Sequence, residues 1–207
     1  MRLEYHVMSS PVGLLFVAQG PRGLRHLEYM GRKSIKRMIA GHAAQYPTAE
    51  WTPSLLKLKS VIEQLEAYFV GSVSQFDVRL DLEGSPFQLA VWRSLLEIPF
   101  SETRSYGDIA KMVGQPRSAR AGGLANNQNP VAIIVPCHRV IGANGALSGY
   151  GGGLPRKRWL LGHGARVQGW REPRWPGARE LDSAAGDRPC CVWSFDHHAL
   201  VVNTAAM

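Results

Sequence analysis

Cysteine is scarce: the 207-residue chain has three, and residues 1–84 have none. Three thiols without regular spacing exclude a disulfide scaffold. The empty first 84 positions exclude a thiolate-containing zinc site there, so no metal is expected. Long apolar runs are also missing, and none approaches the roughly eighteen residues that cross a bilayer. Met1-Arg2-Leu3-Glu4-Tyr5-His6 has no apolar stretch of the signal-peptide kind. A thiol that does chemistry needs a reducing compartment, so the expected location is the cytoplasm, in association with the nucleoid. The third absence is of one charge. Between Ile109 and Arg171 there is no Asp or Glu, while Lys111, Arg117, Arg120, Arg139, Arg156, Lys157, Arg158, Arg166 and Arg171 are cationic. With a formal net charge of +8, that stretch has the footprint of a polyanion-binding face. The alternative is a solvated basic surface balanced by acids elsewhere in the fold.

The patterning that is present suits an α/β (α+β) chain in two small domains and a tail. Val12–Ala18 and Leu24–Tyr29 flank the turn signal Gln19-Gly20-Pro21-Arg22-Gly23, so residues 1–30 are expected to form a small antiparallel sheet. Residues 31–50 carry no clear period. Thr52 as N-cap and Pro53 at the first helical position predict a helix start, with Leu55, Leu58, Ile62, Leu65 and Phe69 as its core stripe and Gly71 as its stop. Ser85-Pro86-Phe87-Gln88 is a capping box that opens a second domain. Phe87, Val91 and Leu95 form the buried stripe of that helix, and Pro99 lies past its end. Ser105–Val113 and Ser118–Asn127 flank Gly114-Gln115-Pro116 in a helix-turn-helix pattern. Ala119, Ala121, Gly122, Gly123 and Ala125 leave the second of these helices almost without bulk. Close helix packing would explain that; so would approach to a narrow minor groove.

The chemistry centres on Pro136-Cys137-His138-Arg139, where the apolar run Val131–Val135 ends. A thiol needs a proton acceptor or a positive field to become a nucleophile, and the adjacent imidazole can supply either. A lone Cys after an apolar run is otherwise an inert small hydrophobe. Ordered signatures around it decide between the two. They are Pro86-Phe87-Gln88, Val91-Trp92, Ile98-Pro99, Thr103 with Ser105-Tyr106-Gly107, Arg120-Ala121, Asn129-Pro130, Pro136–Ile141, and Tyr150-Gly151-Gly152-Gly153-Leu154 before Trp159-Leu160-Leu161. Through them, residues 85–163 resemble the C-terminal domain of the O6-alkylguanine-DNA alkyltransferases, the suicide DNA-repair proteins. Residues 1–84 resemble the family more loosely, and the last forty or so do not.

The resemblance implies a ribonuclease-H-like sheet and helix over 1–84, where some relatives bind a structural zinc. It implies a helix-turn-helix (winged-helix-like) domain over 85–164 that binds DNA and accepts the alkyl group. Residues 165–207 are expected to be an irregular, disordered tail. By the same resemblance Cys137 is the nucleophile, His138 its base through a water, and Tyr106 the proton donor to the leaving guanine. Arg120 fills the space vacated by the flipped nucleotide, with Arg117, Ala119, Ala121, Gly123 and the hinge residue Asn129 also on the DNA side. Tyr150, Gly151 and Val140 contact the extruded base. The implied reaction is irreversible, stoichiometric transfer of the alkyl group of O6-alkylguanine (and O4-alkylthymine) in double-stranded DNA to Cys137, with no cofactor; the sequence leaves oligomerisation unspecified, with a monomer as the default expectation.

One position departs from the pattern. The family has a His-Glu pair after the Leu-Leu, and its Glu orients the catalytic His; here the residues are His163-Gly164. Loss of that carboxylate motivates an alternative, an alkyltransferase-like protein that recognises damage with weak or no transfer. Retention of Cys137 favours the transferase. An unrelated Cys-His hydrolase would leave Arg120 and the thin helix unexplained. The resemblance ends where the Glu is lost, which suggests a shifted reading frame near Gly164, testable by resequencing. Vicinal Cys190-Cys191 and His197-His198 in the tail lack metal-ligand spacing.

Overall fold

The computed structural model describes residues 1–167, 191–193 and 200–202. Met1–Gly164 form one compact unit. Its sheet has the order β3-β2-β1-β4, built from β1 (Arg2–Met8), β2 (Leu15–Gly20), β3 (Gly23–Tyr29) and β4 (Glu50–Pro53). The first three strands form the expected antiparallel meander, but β4 runs parallel to β1, so the sheet is mixed. That pairing also moves the expected helix start. Thr52 and Pro53 sit opposite Glu4 and Tyr5 in the sheet, and α2 (Leu55–Val70) is capped by Ser54, whose hydroxyl accepts from the Lys57 amide. Leu58, Ile62 and Leu65 are buried as the stripe requires, whereas Leu55, in the first turn, is 52% exposed. Gly71 ends the helix in the left-handed conformation (φ 81°) that glycine adopts most readily. The stretch without a period contains α1 (Ile35–Gly41), capped by Ser34 and burying only Met38.

The capping box at Ser85 is fully made, with Gln88 N donating to Ser85 Oγ and Ser85 N to Gln88 Oε1; it opens α3 (Pro86–Leu96). A second capping box, between Ser105 and Asp108, opens α4 (Tyr106–Met112). After a turn through Gly114 comes α5 (Ala119–Asn127), completing the helix-turn-helix. Trp92 on α3 is buried and donates its indole N–H to the Ala125 carbonyl (2.9 Å), fixing α5 against α3. The edge of β3 holds the segment that leads to the cysteine: Leu27 N donates to Pro130 O and Ala132 N to Leu27 O, each at 2.9 Å. Within that buried segment the chain turns tightly at Ile133, whose φ of 74° is unusual for a β-branched residue. Such strain persists only where packing on all sides enforces it, and Ile133 is fully buried.

A single 3₁₀ turn, Cys137–Arg139, follows. It leads into β6 (Val140–Ile141), which pairs with β5 (Arg104–Ser105). Helix α6 (Leu154–Val167) comes next. Within 165–207, where the sequence suggests no regular element, β7 (Cys191–Trp193) and β8 (Leu200–Val202) pair antiparallel. The expectations of disorder for the rest of the tail, and those for Cys190, His197 and His198, lie outside the described residues. Among the described residues no helix is long and apolar enough to cross a membrane.

Candidate active site

Cys137 is 4% exposed, at the base of a cleft also lined by Tyr29, Asn129, Tyr150 and Gly151. Asn129 holds it in place. Its amide Nδ2 donates to the thiol Sγ (3.0 Å) and to Val135 O (2.8 Å), while its Oδ1 accepts from Val131 N (3.0 Å). The Asn129 side chain therefore faces the thiol and bridges the ends of the Ile133 turn. Asn126 Nδ2 donates to the Cys137 carbonyl at 3.2 Å. Burial raises the thiol pKa to about 11, against the lowering effects of the Asn129 hydrogen bond, a backbone hydrogen bond, the Lys157 charge and Tyr150.

That shift has a measurable consequence for stability. The unfolded thiol, near 9, ionises first, so folding favours the neutral form. The stabilisation is complete below pH 9 and disappears as pH rises from about 9 to about 11. Two units correspond to about 3 kcal/mol. Denaturant titrations at pH 8.5 and pH 11 should show the wild type losing about 2 kcal/mol more stability than Cys137→Ser, because the folded thiol is itself half ionised at pH 11; equal losses would place the thiol's pKa near its ordinary value.

His138 is 1% exposed, and its Nδ1 is buried without a hydrogen-bond partner. Burial, followed by the charges of Arg139, Lys157 and His163, holds its pKa well below the usual imidazole range. The ring is therefore neutral and has an available lone pair. Among the described residues no carboxylate forms an ion pair with it. Gly164 is buried in α6, and a Cβ there would lie 3.3 Å from both Cα and Cβ of Ser101.

Tyr106 is the first residue of α4, and its hydroxyl donates to the carbonyls of Ser148 (3.0 Å) and Gly149 (3.1 Å). Tyr150 shares a 2.8 Å hydroxyl contact with Tyr29 of β3, so the first 84 residues contribute a wall of this cleft, which sequence reasoning missed. Gly152 packs against both tyrosine rings so closely that a Cβ would overlap Tyr29. Gly151 is exposed at the mouth, and a Cβ there would approach Asn127 Oδ1 to 3.0 Å. The Val140 carbonyl, the expected contact to the base amine, accepts from Lys157 Nζ at 2.6 Å, and Val140 is fully buried.

The thin helix α5 presents Arg120 and Ala121 to solvent, and Arg117 is exposed just before it. Ala119 and Gly123 are half-buried, with Gly123 against the Tyr106 ring. Leu124 is 60% exposed on the same helix. The cationic stretch divides in two. Lys111, Arg117 and Arg120 are exposed, whereas three of the expected surface cations serve the interior. Arg139 is buried and donates to Ile98 O (2.8 Å) across the Phe100 ring. Arg156 donates to Val12 O (2.6 Å) and Gly152 O (2.8 Å) above the Tyr29 ring. Lys157 is fully buried and donates to Val140 O and Ser148 O. Each satisfies carbonyls that loops bring inside, a demand that charge patterning does not reveal.

Known proteins resemble this chain over most of its length. Residues 86–165 match the family described as 6-O-methylguanine DNA methyltransferase, DNA binding domain, and residues 3–82 its ribonuclease-like domain. A methylated-DNA–protein-cysteine methyltransferase of Mycolicibacterium paratuberculosis is 49% identical over 159 residues, covering 77% of this chain and 90% of that protein. The crystal structure of Mycobacterium tuberculosis O6-methylguanine methyltransferase superposes with a TM-score of 0.70 at 45% identity, covering 80% of this chain and 94% of that one. The Mycobacterium tuberculosis OGT structure in complex with DNA superposes at 0.68, also with 45% identity, covering 81% and 94%. The chain therefore belongs to the methylated-DNA–protein-cysteine methyltransferases.

Proposed function

We propose that this chain repairs double-stranded DNA by moving the alkyl group of O6-alkylguanine irreversibly to Cys137, once per molecule. The observation that carries the reading is the buried thiol, held by Asn129 at the base of the cleft beside Tyr150 and Gly151. With its pKa near 11 the thiol is almost wholly protonated at neutral pH, so attack requires a proton acceptor. The neutral His138, adjacent in sequence, takes that role through an intervening water. Sulfur forms a bond to the alkyl carbon as the carbon–O6 bond breaks, and Tyr106 protonates the departing guanine. Its hydroxyl must then leave the Ser148 and Gly149 carbonyls when the base enters. The exposed Arg120 enters the stack as the nucleotide leaves, which costs a few kcal/mol of unstacking. The small residues of α5 allow the helix close to the minor groove.

One observation favours a second reading, recognition of the lesion without efficient transfer: His138 has no carboxylate partner among the described residues. Intact-protein mass after incubation with duplex DNA carrying one O6-methylguanine separates the two. Transfer adds the mass of one methylene to the wild type, mapped to Cys137, and nothing to Cys137→Ser. An unchanged mass with preferential binding of the lesion would establish the second reading. Neither transfer nor binding would overturn both.

A further inference from the structure

Strand β3 alternates its side chains between two sides of the sheet. Tyr29 faces the cleft, while His26 and Glu28 face α1 and the short segment after it, where His42 meets them. His26 Nδ1 lies 3.2 Å from Glu28 Oε1, and His42 Nε2 lies 2.9 Å from the same oxygen. Neither contact has the alignment of an N–H···O hydrogen bond. Glu28 Oε1 and both ring nitrogens of His26 are thus buried without a hydrogen-bond partner. His26 is only 3% exposed.

We propose that His26, Glu28 and His42 form a binding site for a divalent transition metal of the zinc class. Their three ligand atoms all lie within 4.8 Å of one another. Ligands about 2.0 Å from a tetrahedral zinc stand about 3.3 Å apart, so the two measured contacts already approach the required edges. Two imidazoles and one carboxylate suit zinc and its neighbours better than calcium or magnesium. The absence of cysteine from residues 1–84 removes thiolates and leaves this donor set intact.

The surroundings favour an ordered site. The two imidazole rings lie 4.0 Å apart, between Trp51, which stacks on His42 at 5.8 Å, and Tyr46, whose ring meets the edge of His26 at 5.7 Å. The nearby Arg25 is already paired with Asp81 (2.7 Å) and Glu83 (2.6 Å), which offset its repulsion of a cation. Glu28 and His42 are partly exposed, which leaves the fourth position to water. A bound ion would join the weakly patterned segment after β3 to the sheet, closing the loop from Glu28 to His42.

The test uses the full chain with Cys137, Cys190 and Cys191 replaced by Ser, so that no thiol competes. After chelator treatment it is titrated with Co²⁺ and then Zn²⁺. One equivalent of Co²⁺ should bind with the visible absorption of a four-coordinate nitrogen–oxygen site, be displaced by Zn²⁺, and raise the melting temperature. His42→Ala and Glu28→Gln should each weaken binding about 100-fold, since even second-shell changes cost 10–100-fold. Both replaced side chains are partly exposed, so these variants should fold. Circular dichroism without metal checks that. Absence of binding in the three-Ser protein, or equal affinity in the folded His42→Ala protein, would overturn the proposal.

Discussion

Gly164→Glu should accelerate transfer to Cys137 by about 100-fold, within the orders of magnitude associated with groups that orient a catalytic imidazole. The expectation rests on three facts about His138. Its Nδ1 is orphaned, its pKa is driven down by burial and neighbouring cations, and no described carboxylate pairs with it. On the proposed mechanism His138 takes the thiol proton and becomes a buried cation, which desolvation and the charges of Arg139, Lys157 and His163 all oppose. A carboxylate would offset that and fix the tautomer. Space is the obstacle. The Gly164 Cβ position is 3.3 Å from Ser101, which itself has a φ of 61°. Ser101→Gly removes one of the two crowding carbons, the Cβ, at a left-handed position where glycine is favoured, and a freer backbone lets the remaining Cα give way. The double variant should therefore be faster than Gly164→Glu alone. Single-turnover rates on O6-methylguanine duplex DNA decide the matter; no gain in either folded variant would mean that His138 does not depend on a carboxylate here.

Much of the frame is legible in short-range signals. The Ser85–Gln88 capping box and the left-handed Gly71 each report a local backbone requirement, and each marks a helix end in the structure. Distant pairing is where local signals lose. Thr52-Pro53 has the chemistry of a helix start, yet β1 claims both residues through a parallel ladder that nothing near residue 50 announces. Cysteine placement was legible because its motif is contiguous, whereas the Tyr29 wall was not, since its partner Tyr150 is 121 residues away. The same holds for the imidazole–carboxylate cluster. Period-two alternation puts His26 and Glu28 on one face, but only the path through α1 brings in His42. Charge is the weakest guide. Arg139, Arg156 and Lys157 are indistinguishable in sequence from the exposed Lys111 and Arg120, and only the loop carbonyls that they satisfy set them apart.

Lys157→Met should be the most damaging single substitution outside the nucleophile. Lys157 Nζ is the shared donor to Val140 O (2.6 Å) and Ser148 O (2.9 Å), closing the loop that carries Tyr150 and Gly151 toward the thiol. Burial lowers its pKa, and the interaction with Cys137 opposes that shift, so the ammonium and the thiol sense one another. Methionine fills a similar volume but leaves the buried Val140 carbonyl without its donor, at about 1–3 kcal/mol, while the exposed Ser148 carbonyl keeps Tyr106. The expected loss is therefore about 1–3 kcal/mol of stability, measured by denaturant titration. Transfer should slow as well, because the Ser148 and Gly149 carbonyls that hold Tyr106 move with the loop. Lys157→Gln separates the two contributions: it can still donate to a carbonyl but carries no charge. If the clamp is what matters, Gln restores most of the stability and rate. If the charge matters, Gln remains slow, and the pH at which Cys137 becomes reactive toward iodoacetamide moves upward. Wild-type stability and rate in Lys157→Met would show that the loop keeps its shape without its buried cation.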